Sequence, residues 1–343
     1  MSMRVLIYAG YQGFEFDGNT NTGIGGTEIA IVAVANSLVK FGHEVIVSGQ
    51  IADSGKINGV HWISTKFIHE FVNNRFDYFD VIISASYIHF LKEFKKYTAK
   101  KVFWAHNTHH HAWYNDVELS DADELIKQVD HTVCLTNWHK EQWADKYNIP
   151  LDKITVIGHG VDTSTFPGEP DKIKGRFIYS SAPERGLAEL LKYWPLIKQI
   201  MPHATLEIYS PAYSIATPND YDCTHANIRC YGTVSQLQLH KAMLLAEYWC
   251  YLTDYEETFC ITAVEMQYAK VLPIVTKVAA LGETVRSGII LNNVETKWKT
   301  AVEILSKLSG GIKQKSIEDS FQWAKLQTWN NVSHKWNTFL KDI

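Results

Sequence analysis

No apolar run in this chain of 343 residues approaches the about 20 residues that a membrane-spanning helix needs. The start, Met1-Ser2-Met3-Arg4-Val5-Leu6-Ile7-Tyr8, lacks the layout of a secretory leader, and its short apolar run reads as a first strand. Cysteine is scarce. Cys134, Cys223, Cys230, Cys250 and Cys260 are odd in number and contain no C-x-x-C, which argues against structural zinc and a disulfide framework and fits a reducing, cytoplasmic compartment. Positive charge is not in excess either. The formal net charge of −4 leaves no broad basic surface for a nucleic acid. There is no G-x-x-x-x-G-K-[ST], so a P-loop nucleotidase is excluded, and no repeat at a period of about 20–50 residues. What is present is core-building material, 46% hydrophobic against 20% charged, in a length that suits two domains at about 100–200 residues each.

Short apolar runs alternate with amphipathic stretches from end to end, the signature of α/β units on parallel sheets. Strands are expected at 4–9, 44–48, 80–85, 102–106, 131–136 and 154–158, and again at 176–181, 205–209, 228–231, 248–253, 272–276 and 289–291. Helices fit between them, among them 26–41, stopped by Gly42, and 138–147, with Asn137 as its N-cap. In the second half helices are expected at 186–200, 236–247, 260–269 and 295–308, then 316–327 and 331–340. The stretch 166–175, rich in Pro, Gly and charge, reads as a linker. The expectation is two doubly wound, Rossmann-like domains facing a central cleft, 1–168 and 169–315, with C-terminal helices at 316–343.

Two segments carry chemistry. Gly23-Ile24-Gly25-Gly26-Thr27-Glu28 opens a helix, where glycines permit close backbone approach and exposed N–H groups attract phosphate. It is not a dinucleotide fingerprint, because Glu28 stands where the third glycine belongs and the loop does not turn straight off the strand. The second segment, residues 255–265, follows a strand and opens a helix. Glu257 lies at the helix mouth and Glu265 about two turns on, near the same face. Two acceptor-only carboxylates at that spacing suit hydroxyl-rich ligands such as a sugar and a ribose. The N–H groups of residues 259–262 sit at the same helix start and can face an anion.

Glu257 and Glu265 form E-x7-E, followed by Leu272-Pro273-Ile274-Val275-Thr276 and Leu281-Gly282-Glu283. With Gly25-Gly26-Thr27-Glu28, Gly160-Val161-Asp162-Thr163-Ser164-Thr165-Phe166 and Arg185-Gly186-Leu187-Ala188-Glu189-Leu190-Leu191 in the same order, the chain resembles retaining glycosyltransferases of the GT-B fold, glycosyltransferase family 4. The resemblance implies transfer of a sugar from a UDP- or GDP-sugar donor to a hydroxyl of a carbohydrate acceptor. It places nucleotide in the second domain and acceptor in the first, with the C-terminal helix crossing back to the first domain. It gives Glu265 to the ribose and Glu257 to the transferred sugar. Arg185, Gly25, Gly26, Thr27 and the backbone of Phe259, Cys260 and Ile261 go to the diphosphate. The base goes beside Gly232-Thr233-Val234, and His106 to the donor sugar. One departure stands out: the family's first phosphate-binding arginine is replaced near Ser180-Ser181, leaving Arg185 as the cation.

No metal is implied. The single D-x-D, Asp121-Ala122-Asp123, follows Ser120 and reads as a capped helix start. His109, His110 and His111 are adjacent in sequence, do not share a face and read as a surface loop, with Trp113 and Tyr114 near an acceptor site. No cofactor is implied beyond the nucleotide sugar as co-substrate. Trp138, Trp143, Trp194, Trp249, Trp323 and Trp336 read as core. Lys92, Lys96 and Lys100 form a helical stripe that reads as a solvated face, with weak peripheral membrane contact as the other use. Two other classes remain open: a sugar-nucleotide epimerase or phosphorylase on the same fold, and a catalytically silent sugar-nucleotide or glycan-binding subunit.

Overall fold

The computed structural model describes residues 2–10, 18, 25–51, 54–109, 119–210 and 227–343. The chain folds as two compact units. One holds the first strand, Gly26–His159 and Trp329–Ile343, and the other Gly25 with Gly160–Thr328. The first unit is built from β1 (Arg4–Gly10), α1 (Gly26–Lys40), β2 (Glu44–Gly49), β3 (Gly55–Ile57), β4 (Val60–Ser64), α2 (Ile68–Phe71), β5 (Val81–Ala85), α3 (Phe90–Glu93), β6 (Lys100–Trp104), α4 (Leu119–Ile126), β7 (His131–Cys134), α5 (Asn137–Tyr147) and β8 (Ile154–Val156). The second has β9 (Arg176–Ser180), α6 (Leu187–Ile200), β10 (Thr205–Tyr209), β11 (Ile228–Gly232), α7 (Gln236–Leu245), β12 (Tyr248–Tyr251), α8 (Ile261–Tyr268), β13 (Leu272–Thr276), α9 (Leu281–Thr284), β14 (Ile289–Leu291), α10 (Lys297–Lys307) and α11 (Gly310–Ala324). The last helix, α12 (Trp329–Asp342), belongs to the first unit.

Among the described residues, the first sheet runs β3-β4-β2-β1-β5-β6-β7-β8 and the second β11-β10-β9-β12-β13-β14. All pairings are parallel except the β3–β4 hairpin. Parallel strands covered by helices on both faces need unbroken apolar runs, and Val5, Leu6, Ile7 and Tyr8 of β1 are wholly buried. The strand order reverses between β1 and β5 in one sheet and between β9 and β12 in the other, and ligands of open α/β sheets settle beyond the strand ends at such points. Gly10 closes β1 at φ +68°, where a Cβ would stand 2.2 Å from the Tyr87 ring, so only glycine fits.

The expected strands are present with ends shifted by up to a few residues, and the structure corrects several details. Thr136, not Asn137, caps α5, its hydroxyl accepting from the His139 N–H at 3.2 Å. The helix begins one residue earlier than the apolar pattern shows. The D-x-D lies inside α4, which starts at Leu119, so Ser120 is not its cap. The lysine stripe does not form. Helix α3 ends at Glu93, Lys92 pairs with Asp121 at 3.0 Å, and Lys100 belongs to β6 and pairs with Asp130. Cys134, Cys250 and Cys260 are free thiols but Cys230 is disulfide-bonded, so the reading against disulfides fails at one cysteine that spacing alone does not expose. Trp143, Trp194, Trp249 and Trp336 are core, whereas Trp138 and Trp323 are only half-buried.

The unit boundary falls at 159/160 rather than 168/169, because Val161 to Phe166 pack on second-unit partners such as Gln327 and His240. The segment 316–343 also divides. Helix α11 stays with the second unit, where Ser320 bonds Ser287 and Phe321 meets Tyr268 at 5.8 Å. Helix α12 packs along α1 in the first unit, with Trp336 fully buried against Trp104 at 4.8 Å and Asn337 bonded to His43 at 3.0 Å.

Candidate functional site

The loop candidates follow strands, Gly25 to Thr27 after β1, His106 after β6, Arg185 after β9, Val234 after β11 and Glu257 after β12, and Glu265 lies within α8. In the second unit, two of these loops flank the reversal between β9 and β12, and the structure joins them. After β9 the chain makes one tight turn, Pro183 to Arg185, and leaves through Gly186 at φ +117° into α6. This turn sets Arg185 against the loop after β12. Arg185 Nη1 donates to Glu257 Oε1 at 3.1 Å, with its guanidinium 4.2 Å from the centre of the Tyr255 ring. The Arg185 side chain keeps 24% of its surface exposed and Glu257 only 9%, so the cation remains reachable while its partner is shielded.

Glu257 Oε1 also accepts from the Tyr251 hydroxyl at 2.6 Å, and Ser181 Oγ lies 3.3 Å from the same hydroxyl. Burial, then the Glu257 charge, raises the Tyr251 phenol well above its ordinary pKa, so it stays a donor. Among the described residues Glu257 Oε2 has no hydrogen-bond partner. The loop is anchored from outside by Lys297, itself buried, which pairs with Asp254 and bonds Asn293 at 3.0 Å. Ser180, near the place of the missing arginine, ends β9 with its hydroxyl buried.

Glu265 repeats the arrangement on α8. Its Oε1 accepts from Gln236 Nε2 at 2.9 Å and His240 Nε2 at 3.1 Å, and its Oε2 is again without a partner among the described residues. Between the two glutamates Phe259 is buried, while Cys260 and Ile261 are half-buried at the start of α8. That start has no side-chain cap, and Cys260 sits there at φ +68°. Burial, then the Glu257 charge, pushes the Cys260 thiol well above its usual pKa, so it is not a thiolate. Val234 is half-buried just before the capping box Ser235/Gln238 that opens α7. A separate open hollow of about 480 Å³ beside β13 and β14 is lined by Lys277, Glu283 and Arg286, and by none of the candidates.

The first unit gathers different chemistry. His106 is buried, 4.5 Å from Trp104 and stacked on His159 at 5.2 Å. Burial, then His159 and His139, lowers its pKa well below the usual imidazole value. Burial takes His159 to about 3 and His139 to about 4. His139 Nδ1 accepts from the Leu135 N–H at 3.2 Å, so Nε2–H donates to the Asn107 carbonyl at 2.8 Å, fixing the turn beside His106. Gly26 opens α1 with Thr27 half-buried and Glu28 buried in its first turn. Gly23, Ile24, His110, His111, Trp113 and Tyr114 lie outside the described residues, and His109 is exposed, 2.9 Å from the Thr108 hydroxyl.

Over residues 24–165 the sequence matches glycosyltransferase family 4. The fold of the chain is the GT-B fold. Sucrose-phosphate synthase from Thermosynechococcus elongatus superposes with a TM-score of 0.74 at 12% identity, covering 99% of this chain and 98% of that one. A glycosyltransferase from Rickettsia africae gives 0.74 at 16% identity, over 99% and 98%. Anabaena Alr3699/HepE in complex with UDP-glucose gives 0.71 at 14% identity, over 99% and 100%. No curated protein matches the sequence. Among the described residues, no helix is long and apolar enough to cross a membrane.

Sequence reasoning singled out Arg185, Glu257 and Glu265 but not the side chains packed around them, Tyr251, Tyr255, Gln236, His240 and Lys297. The signal for Tyr251 was an aromatic at the end of the strand that precedes the E-x7-E segment. His240 and Gln236 carried none, because α7 meets α8 through the fold alone.

Proposed function

We propose that this chain is a retaining glycosyltransferase that moves a sugar from a nucleoside-diphosphate sugar, UDP-sugar foremost, to a hydroxyl of a carbohydrate acceptor. The observation that carries the reading is the pair of glutamates on one loop and helix. Each is pinned through one oxygen and keeps the other for ligand hydroxyls, with a reachable arginine beside them. The UDP-glucose held by the Anabaena protein of the same fold supports the donor class.

In this reading Glu265 accepts from the ribose hydroxyls and Glu257 from the transferred sugar. Arg185 and the uncapped start of α8 meet the diphosphate, whose charge grows as the bond from the anomeric carbon to phosphate oxygen breaks. Glu257 is a poor nucleophile, since its Oε1 already receives Tyr251 and Arg185. The acceptor oxygen therefore attacks from the face the phosphate leaves, and its proton passes to a phosphate oxygen, giving retention. A neutral His106 serves sugar hydroxyls without adding charge. Gly25, Gly26 and Thr27 offer backbone at the start of α1, and Val234 lies beside the base.

No metal is required in this scheme. The D-x-D does not offer a free pair, because Asp121 is bound to Lys92. Nor is any cofactor required beyond the donor.

The test is product analysis with UDP-glucose and a panel of saccharide acceptors, with and without excess EDTA. A product whose new bond has the donor's anomeric configuration, formed in EDTA, supports the reading. An inverted product or metal-dependent transfer refutes it. Change of the donor sugar without acceptor would mean an epimerase, and a need for inorganic phosphate a phosphorylase. UDP binding without transfer would favour a silent binding subunit, the reading that Ser180 and Ser181 in the arginine's place keep open. The base is read by thermal shift, where nucleotide at about 100 times its Kd adds roughly 2.7 kcal/mol.

A further inference from the structure

Behind Glu265 stands a chain of bonds whose directions follow from counting hydrogens. Thr165 has one hydroxyl hydrogen, and it donates to the Asp162 carbonyl at 2.6 Å. Thr165 Oγ1 must therefore accept from His240 Nδ1, 2.7 Å away. On the other side of the ring, Glu265 Oε1 can only accept, so His240 Nε2–H donates to it at 3.1 Å. In these directions both ring nitrogens of His240 donate, one to Thr165 and one to Glu265, where the His240 and Glu265 side chains are 1% and 6% exposed. Gln236 Nε2 lies 3.2 Å from His240 Nε2 because both donate to the same oxygen.

Phe166 covers the pair, its ring 4.0 Å from the imidazole and only 10° from parallel, and Tyr268 packs on Phe166 at 4.8 Å. The groups facing His240 are Thr165 and Phe166 ahead of β9, Gln236 on its own helix and Glu265 on α8. Of these only Glu265 is charged.

We propose that His240, held from behind by Thr165, is a positioning residue that fixes Glu265 through Oε1 and presents Oε2 to the ribose of the donor. The proposal rests on the reading of Glu265 as the ribose acceptor. It gives a task to residues 160–166, which the E-x7-E pair alone leaves without one. Asp162 shapes the turn by accepting from Ser164 N–H at 3.0 Å and its hydroxyl at 2.6 Å, and the same turn delivers Thr165 to the imidazole. A carboxylate already locked in place loses less freedom when nucleotide arrives.

Two measurements on the full chain test this. In ligand-free protein labelled with ¹⁵N-histidine, His240 shows hydrogens on both ring nitrogens at pH 7, and Thr165→Val or Glu265→Gln removes one. By calorimetry with UDP, Thr165→Val binds about tenfold more weakly and Thr165→Ser binds as the parent does, the loss expected for one charge-assisted bond set out of place. In turnover, KM for the donor rises about tenfold in Thr165→Val while kcat stays within about twofold. Because His240 is fully buried, Thr165, half-buried, is the safer variant; His240→Gln serves as a second, keeping a donor toward Glu265. A single ring hydrogen in the parent overturns the proposal. So does parental UDP affinity in Thr165→Val and His240→Gln alongside a loss in Glu265→Ala. Unchanged affinity in Glu265→Ala itself overturns the ribose reading, and this proposal with it.

Discussion

Around the end of β6 the first unit collects His106, His139 and His159, each driven toward neutrality by burial, among Trp104, Trp329 and Trp336. Around the ends of β9 and β12 the second unit collects the ion pair of Arg185 with Glu257, and on α8 Glu265 is held by Gln236 and His240. Both edges come from the same architecture, a parallel sheet reversing its strand order, so the difference is in side chains and not in fold. It teaches how one fold divides electrostatic labour. An edge of neutral imidazoles and indoles suits uncharged, hydroxyl-rich ligands, whereas an edge with an ion pair and a pinned carboxylate suits an anion flanked by hydroxyls.

The strongest way to break the contrast is to remove Arg185, the reachable cation beside Glu257. Arg185→Ala should lower transfer by a factor on the order of 10²–10³, the range for loss of one preorganised charge stabiliser. The effect falls on kcat, and Arg185→Lys should recover only part of it, because an ammonium cannot bridge two oxygens as a guanidinium does. Turnover with UDP-sugar measures both variants. Near-parental rates in Arg185→Ala would move the phosphate site to Lys277 and Arg286 beside β13 and β14.

A second intervention separates the two glutamates. Glu265→Ala should weaken UDP by roughly 1.5–3 kcal/mol, the worth of a charged hydrogen-bond partner. Glu257→Ala should leave UDP affinity nearly unchanged and lower turnover. Calorimetry and rates on the same preparations decide between the roles. Equal losses of UDP affinity in both variants would merge the two sites into one.

These contrasts were unevenly legible in the sequence. Strands such as β1, β9 and β13 were readable because both of their faces are covered, which leaves no freedom but a continuous apolar run. Arg185, Glu257 and Glu265 were readable because their spacing places them at strand ends and on one helix face. The side chains that hold them in place were not. His240 meets Glu265 from 25 positions away and Thr165 from 75, distances over which topology and not local pattern decides contact. The lysine stripe failed for the converse reason: a helical period was present, but the chain leaves the helix at Phe94 and enters β6 at Lys100. Helix α11 has the amphipathic look of α12, and only its partners Ser287, Tyr268 and Lys270 keep it with the second unit.

The neutral edge can be tested through acid. Each of the three histidines has a folded pKa below its unfolded value near 6.5, so the unfolded chain binds more protons as pH falls past 6.5. Stability is therefore complete above pH 6.5 and drains away below it, by up to about 1.4 kcal/mol per pH unit for each group. His159→Phe keeps an aromatic against His106 and Trp329 and removes one group's share. Urea unfolding at pH 6.5 and 5.5 should give a shallower loss in the variant than in the parent. An identical slope would mean that His159 accepts a proton in the fold.

The charged unit offers a smaller test at Lys172, between Phe166 and β9. Its Nζ donates to the carbonyls of Met243 at 3.0 Å and Ala269 at 2.6 Å, closing the ends of α7 and α8 from below. Burial lowers its pKa to about 7, with Lys313 and Lys270 pushing the same way and Glu247 opposing. The unfolded lysine keeps its proton to about 10.4. Between those values the unfolded chain binds more protons, so stability rises with pH from about 7 upward, and below 7 the full cost of the buried charge is present. From pH 7 to pH 8 that rise is about 1 kcal/mol, since the folded group is already half neutral at the start. Lys172→Met keeps the buried stem and abolishes the titration. The parent should gain on the variant by about that amount between the two pH values in urea unfolding, whichever of the two is the more stable at pH 7. Parallel curves would show that Lys172 stays charged in the fold, and that its two carbonyls, at helix ends where a cation is favoured, outweigh its burial.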